Sequence, residues 1–168
     1  RLLKGAWLVS EEASGYFKRE WVTPITIEQL PTITKLVRAY DIAGSIPSEA
    51  YPDPDWTVGT LMGIDDVGNA YILDVVRYRE RSARVLQNII DQAKQDTKDW
   101  GDHLIILPED AGAAGKTACD SMVGAVQQEG FLVKKNKMSN VKGRKLKAFQ
   151  PFAICAENNM VYVLKADW

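Results

Sequence analysis

Apolar and polar positions first alternate regularly at Thr34. The run TKLVRAYD, residues 34–41, sets Val37, Ala39 and Asp41 on one side of an extended chain and Leu36, Arg38 and Tyr40 on the other, as a strand does. Two more β-rich runs follow, WTVGTLMGI (56–64) and AYILDVVRY (70–78). The short link between them, Asp65-Asp66-Val67-Gly68-Asn69, predicts a hairpin. From Ser82 the pattern turns helical: Val85, Leu86, Ile89, Ile90 and Ala93 recur on one face, and Ser82 is placed to cap the first turn. HLIILP, 103–108, is short and continuously apolar, as a strand covered on both faces is. A second helix is expected from about Thr117 to Glu129, with Met122, Ala125 and Val126 inward and Gly130 as its stop. FLVKK then reads as a strand, Arg144 to Glu157 as a helix that Pro151 interrupts or kinks, and NNMVYVL as a turn and last strand. Residues 1–33 show no clear period and read as an irregular arm against a domain beginning near Thr34. The order predicts an α/β protein: a mixed sheet of three antiparallel strands followed by βαβ units, with helices on its faces.

Composition narrows the class. At 168 residues, 46% hydrophobic and 26% charged, the chain can bury one sizeable core. No apolar run approaches the ~18 residues a membrane span needs. Arg1 to Leu8 lacks the apolar region and cleavage site of a secretory leader, and the missing initiator methionine fits an excised fragment. Cys119 and Cys155 have no metal-type spacing and read as small core residues in a reduced, cytoplasmic setting. A formal net charge of −1 argues against nucleic-acid binding by bulk charge. Yet Lys134, Lys135, Lys137, Lys142, Arg144, Lys145 and Lys147 crowd one acid-free stretch. Such a strip can hold phosphates while acids elsewhere cancel the total; taken alone, it equally suits a solvated loop.

The acids that matter lie at strand ends. Asp41 closes a strand expected at the centre of the sheet, and Glu109 and Asp110 follow directly on strand 103–108. Adjacent strand ends of an α/β sheet converge on one edge, where ligands bind. Carboxylates gathered there repel, and Mg²⁺ or Mn²⁺ relieves the repulsion; two such ions about 4 Å apart can clamp a phosphodiester for in-line attack by water. The competing reading has Asp41 opening a turn and Glu109-Asp110 capping the next helix. A long loop with Pro47, Pro52 and Pro54 beside Asp41 brings the two readings level.

The stretch AGAAGKTA after Asp110 reads as a glycine-rich turn between strand and helix. Gly115-Lys116-Thr117 looks like the end of a nucleotide phosphate loop, but Asp110 stands where that motif needs a small residue. The turn suits contact with a DNA phosphate through its N–H groups and Lys116. Asp55, at the end of the long loop, can reach the site edge but fits a turn role better. His103, Asp65, Asp66 and Asp74 read as structural, and the tryptophans as packing residues.

Several of these segments together resemble a known family. Asp41-Ile-Ala-Gly-Ser, Asp53-Pro-Asp55-Trp-Thr-Val-Gly, Gly68-Asn-Ala-Tyr-Ile-Leu-Asp-Val-Val-Arg77 and Leu107-Pro-Glu-Asp-Ala-Gly-Ala-Ala-Gly-Lys116 resemble, in order and spacing, the nuclease domain of phage and prophage large terminase subunits. So do Phe152-Ala-Ile-Cys-Ala-Glu157 and the last strand, while Tyr16-Phe-Lys-Arg-Glu-Trp21 is similar to the segment joining that family's ATPase motor to its nuclease.

The resemblance implies a ribonuclease-H-like fold over 34–168, with 1–33 as the linker from a motor domain. It implies an endonuclease that cuts concatemeric double-stranded DNA with two divalent metals, Mg²⁺ or Mn²⁺, at the procapsid portal in the host cytoplasm, alongside a small terminase subunit. Asp41 matches the first catalytic aspartate and Asp110 the acid of the glycine-rich turn, with Glu109 as its competitor, since adjacent strand residues point opposite ways. Asp55 matches a recurrent loop acid. The family's third metal-binding aspartate follows the last strand; the chain stops at Trp168 and Asp167 matches no ligand position, so a truncated end is expected. Lys116 and the basic strip would hold the DNA backbone. Two other readings stand beside this one: a non-catalytic DNA-guiding module of the packaging motor, and another ribonuclease-H-like nuclease acting on junctions or RNA–DNA hybrids.

Overall fold

The structure, a computed structural model, describes residues 17–137 and 143–166. Its strands are β1 (Val22–Ile25), β2 (Lys35–Asp41), β3 (Thr57–Ile64), β4 (Ala70–Tyr78), β5 (Leu104–Glu109), β6 (Leu132–Lys137) and β7 (Val161–Leu164). Its helices are α1 (Ser82–Trp100), α2 (Ala113–Gln128) and α3 (Arg144–Glu157). All seven strands join one sheet in the order β1-β7-β4-β3-β2-β5-β6. The β2-β3-β4 meander is antiparallel; β5 and β6 add parallel to β2 on one side, β7 and β1 parallel to β4 on the other. This is the mixed sheet with flanking helices that the residue pattern predicts, in the ribonuclease-H-like arrangement that the family resemblance implies. No helix among the described residues is long and apolar enough to cross a membrane.

Strand alternation decides what lies under the helices. Tyr40 of β2 joins Val85, Ile89, Ile90 and Ala93 of α1, Ile105 and Leu107 of β5, and Cys119 and Val126 of α2 in one buried cluster. Leu61, Tyr71, Leu73 and Ile25 form a second. Gly59 pairs directly with Tyr40, and a Cβ there would lie 2.9 Å from Tyr40 Cδ1, so the ring covers the gap that glycine leaves. Right-handed crossovers put α1 and α2 on this face and send α3, which returns from β6 to β7, across the other. There the Phe17 ring packs on Phe149 and Phe152, at 5.5 Å and 5.9 Å between centroids.

Arg38 occupies the middle of the helix-covered face with no exposed surface. It donates to both Asp96 oxygens (2.8 and 2.6 Å), to Asp74 (2.7 Å) and to the Gly59 carbonyl (3.1 Å). Burial alone pushes the guanidinium toward the neutral form; the bonds to Asp96 and Asp74 outweigh it and hold the pKa above the ordinary arginine value. Asp65 shapes the β3–β4 turn: it accepts from the N–H of Val67 and Asn69, from Asn69 Nδ2 and from the Tyr71 hydroxyl. Asp65 and Asp74 are structural, as expected, and so is His103, 7% exposed with Nδ1 3.2 Å from the Gly101 carbonyl.

Several expectations need correction. Part of the stretch read as an irregular arm is regular: residues 22–25 pair with β7 and form the sheet's edge. Ser82 is the first helical residue rather than the cap. Arg81 holds the cap position with no side-chain bond, and Ser82 Oγ stands 2.7 Å from where a Cβ on Gly44 would be. Helix α2 begins at Ala113, four residues early, because Gly112 at φ 102° turns the chain directly into it; Gly115 to Thr117 are therefore helical, not turn. Strand β5 is fully buried only on its helix side, where Ile105, Leu107 and Glu109 point, and half-buried at Leu104, Ile106 and Pro108. Pro151 does not interrupt α3, which runs from Arg144 to Glu157. Gly130 ends α2 at φ 92°, as expected.

Candidate active site

Parallel pairing sends the C-terminal ends of β2, β4, β5 and β6 to one rim, together with the loop 42–56 that starts β3. Asp41 is the last residue of β2 and is exposed. The β2–β5 register runs through Val37↔Leu104, Arg38↔Ile105 and Ala39↔Ile106, so continuing it sets Asp41 beside Pro108. Asp110 lies two residues farther, exposed, against the first turn of α2, where a Cβ on Gly115 would come 2.9 Å from its own Cβ. One strand spacing sideways and two residues along put the Asp41 and Asp110 Cα atoms roughly 8 Å apart, within the span that carboxylates sharing cations bridge.

Glu109 points the other way. Alternation turns it to the helix side with Ile105 and Leu107, where it is 5% exposed and Lys135 Nζ meets it at 3.0 Å. Lys135 also holds Asp120 at 2.5 Å, and these two acids raise its pKa above the ordinary lysine value. Burial first, and then the charge of Glu109, push the neighbouring Cys119 thiol up.

The basic residues therefore separate. Lys135 is engaged in ion pairs. Lys134 pairs with Ile106 in the β5–β6 register and so shares Asp41's face; it and Lys137 are exposed. Lys145 and Lys147 are exposed in the first turn of α3, whereas Lys142 and the Arg144 side chain lie outside the described residues, as does Asp167. Lys116 is exposed in the first turn of α2. No side chain caps that helix, which leaves its opening N–H groups facing the rim.

The long loop brings a cluster that the residue pattern did not mark. Trp56, 40% exposed, carries Arg77 and Arg79 over its ring at 4.9 and 4.0 Å, and Asp53 pairs with Arg79. Only the sheet register brings these residues beside Asp41; Trp56 and Arg77 are 21 positions apart with no motif chemistry of their own. Asp55 is exposed in the same loop.

Hard divalent cations suit the exposed carboxylate oxygens of Asp41 and Asp110 at this rim. The donors are two, however: among the described residues no three of His, Cys, Asp and Glu gather as a metal-holding group, so Asp55 does not complete one with Asp41 and Asp110.

Strand order and helix placement define an α/β domain of the ribonuclease-H-like class. Among solved structures the chain is similar to T. thermophilus RuvC in complex with a Holliday junction substrate, with 11% identity, a TM-score of 0.45, and coverage of 71% of this chain and 77% of that one. Neither a family model nor a curated protein matches it.

Proposed function

We propose that this domain is a metal-dependent DNA endonuclease of the packaging-terminase type, cutting concatemeric double-stranded DNA by phosphodiester hydrolysis. The observation that carries the reading is the pair Asp41 and Asp110: exposed carboxylates at the ends of adjacent parallel strands, neither in an ion pair among the described residues. A divalent ion such as Mg²⁺ or Mn²⁺ held there would supply Lewis acidity and a lowered water pKa for hydrolysis at neutral pH. Asp41 would hold such ions from β2 and Asp110 from the mouth of α2. Lys116 and Lys134, exposed and in no ion pair among the described residues, would hold the sugar–phosphate backbone by charge, giving strong salt dependence and little sequence preference. Glu109 is committed to Lys135 and has a structural role in this reading.

The terminase assignment rests on the ordered sequence motifs around Asp41, Asp55, Arg77 and Asp110. With it come an ATPase motor in the parent chain, a small terminase subunit and a portal as partners. The test is nicking of supercoiled plasmid in Mg²⁺ or Mn²⁺ against chelator. Asp41→Ala and Asp110→Ala should abolish it while Glu109→Gln retains it; full activity in Asp41→Ala refutes the catalytic role. A panel of duplex, hybrid and four-way junction decides between a packaging nuclease and its junction- or hybrid-cleaving relatives. The want of a third carboxylate among the described residues favours one other reading, a DNA-guiding module without catalysis. Calorimetry separates the two: DNA binding with no uptake of Mn²⁺ is the signature of the guide.

A further inference from the structure

We infer that Arg77, braced on the indole of Trp56, is a phosphate-binding residue that seats a nucleic-acid strand along the rim of the sheet that carries Asp41. The inference rests on the nuclease reading above and adds a binding residue to it. The register sets the geometry. Asp41 pairs with Val58, and Val58 pairs with Arg77, so the three residues form one row across three neighbouring strands and project from one face. Two strand spacings put the Asp41 and Arg77 Cα atoms about 10 Å apart. Val58 stands between them, so Arg77 is too distant to neutralise Asp41 yet near enough to hold a phosphate next to one that Asp41 faces.

The electrostatics distinguish Arg77 from its neighbour. Both arginines lie over Trp56, but Arg79 is ion-paired to Asp53 and its side chain is only 16% exposed. Arg77 is exposed and has no salt bridge or side-chain hydrogen bond among the described residues. A guanidinium laid on an aromatic ring keeps its N–H edge free and loses little entropy on binding, which suits a phosphate's paired oxygens. On the other side of Asp41, two strands away on β6, Lys134 is exposed on the same face. Lys134 stands two residues before Asn136, the β6 position in Asp41's row, so a cation lies two strands away on either side of the carboxylate, which suits a strand whose phosphate at Asp41 is flanked by phosphates held at Arg77 and Lys134. An acidic peptide would meet the same two cations, but its carboxylates would face Asp41 without the phosphodiester chemistry of the rim.

The test is binding of a fluorescein-labelled duplex and a labelled single strand by the whole domain in chelator, over a salt series. Arg77→Ala and Arg77→Gln should each weaken binding about ten-fold and lower the slope of log K against log salt by about 1. Arg77→Lys should keep most of the slope and lose part of the affinity, and Arg79→Ala should leave the slope unchanged. Asp41→Ala should bind at least as tightly as the wild type. Unaltered melting temperatures confirm that the Arg77 variants fold. Unchanged affinity, or a weaker affinity with an unchanged salt slope, in both Arg77→Ala and Arg77→Gln overturns the inference, even where Asp41-dependent cleavage upholds the nuclease. Arg77-dependent binding without metal-dependent cleavage has the opposite meaning: the inference stands and the nuclease reading falls.

Discussion

Removing the Asp96 carboxylate should be among the most damaging single changes available outside the apolar core. Asp96 is 2% exposed and accepts two of the four hydrogen bonds that buried Arg38 donates. Asp96→Ala leaves a guanidinium with no exposed surface facing only Asp74 and a carbonyl, and frees the Gln92 amide that also bonds Asp96. Breaking a buried pair from one side costs about 3–5 kcal/mol. Asp74 stays in place but its side chain is 28% exposed, so it compensates weakly. We expect a loss of about 3 kcal/mol, which for a domain of this size lowers Tm by roughly 6–12 °C. Asp74→Ala, which removes a half-solvated partner, should cost about 1.5 kcal/mol. Arg38→Met combined with Asp96→Leu removes both charges and should lie much nearer the wild type than Asp96→Ala alone. Urea unfolding followed by circular dichroism at neutral pH reads all three variants against the wild type. An Asp96→Ala midpoint equal to the wild type, or Asp74→Ala proving the costlier change, refutes the reasoning.

Other outcomes follow from single contacts. Gly59→Ala drives a Cβ into the Tyr40 ring, which is 7% exposed and has nowhere to move, so thermal melts should show a loss of about 1–3 kcal/mol, largely relieved by Tyr40→Leu. Lys135→Met strips the buried Glu109 of its cation and should lower the melting temperature; adding Glu109→Gln should restore most of it in a double-mutant cycle. For Asp65, burial pushes the carboxyl up, but bonds from Asn69, Tyr71 and Val67 prevail and hold the folded pKa below the ordinary aspartate value. Its stabilisation is therefore complete above the unfolded value of about 4 and is lost as pH falls through the folded one. Asp65→Asn should be less stable at neutral pH and show a shallower loss of stability below about pH 4; parallel acid limbs for the two proteins would contradict this.

Much of the fold was legible because it follows from local rules. Alternation in 34–41 and 70–78, the Gly68-Asn69 link and the helical spacing from Val85 to Ala93 are properties of short stretches, so strands, hairpin and α1 emerge where expected. The helix start at Ala113 did not, because a glycine-rich run reads as a turn until Gly112 alone is seen to make it. Residues 22–25 hold too few alternating positions to declare a strand; only pairing with β7, about 140 positions away, makes them one.

By itself the sequence determined the α/β class, the carboxylates at strand ends and the basic stretch, since each depends on residue type and period. Tertiary structure decided how those residues are used. It turned Glu109 under α2 onto Lys135 and left Asp110 at the rim, and it aligned Arg77 with Asp41 through Val58. It also buried Arg38 between Asp96 and Asp74. The physical reason is that a charge is free or neutralised according to what stands within a few ångströms of it, and in a sheet those neighbours come from register between strands far apart in the chain.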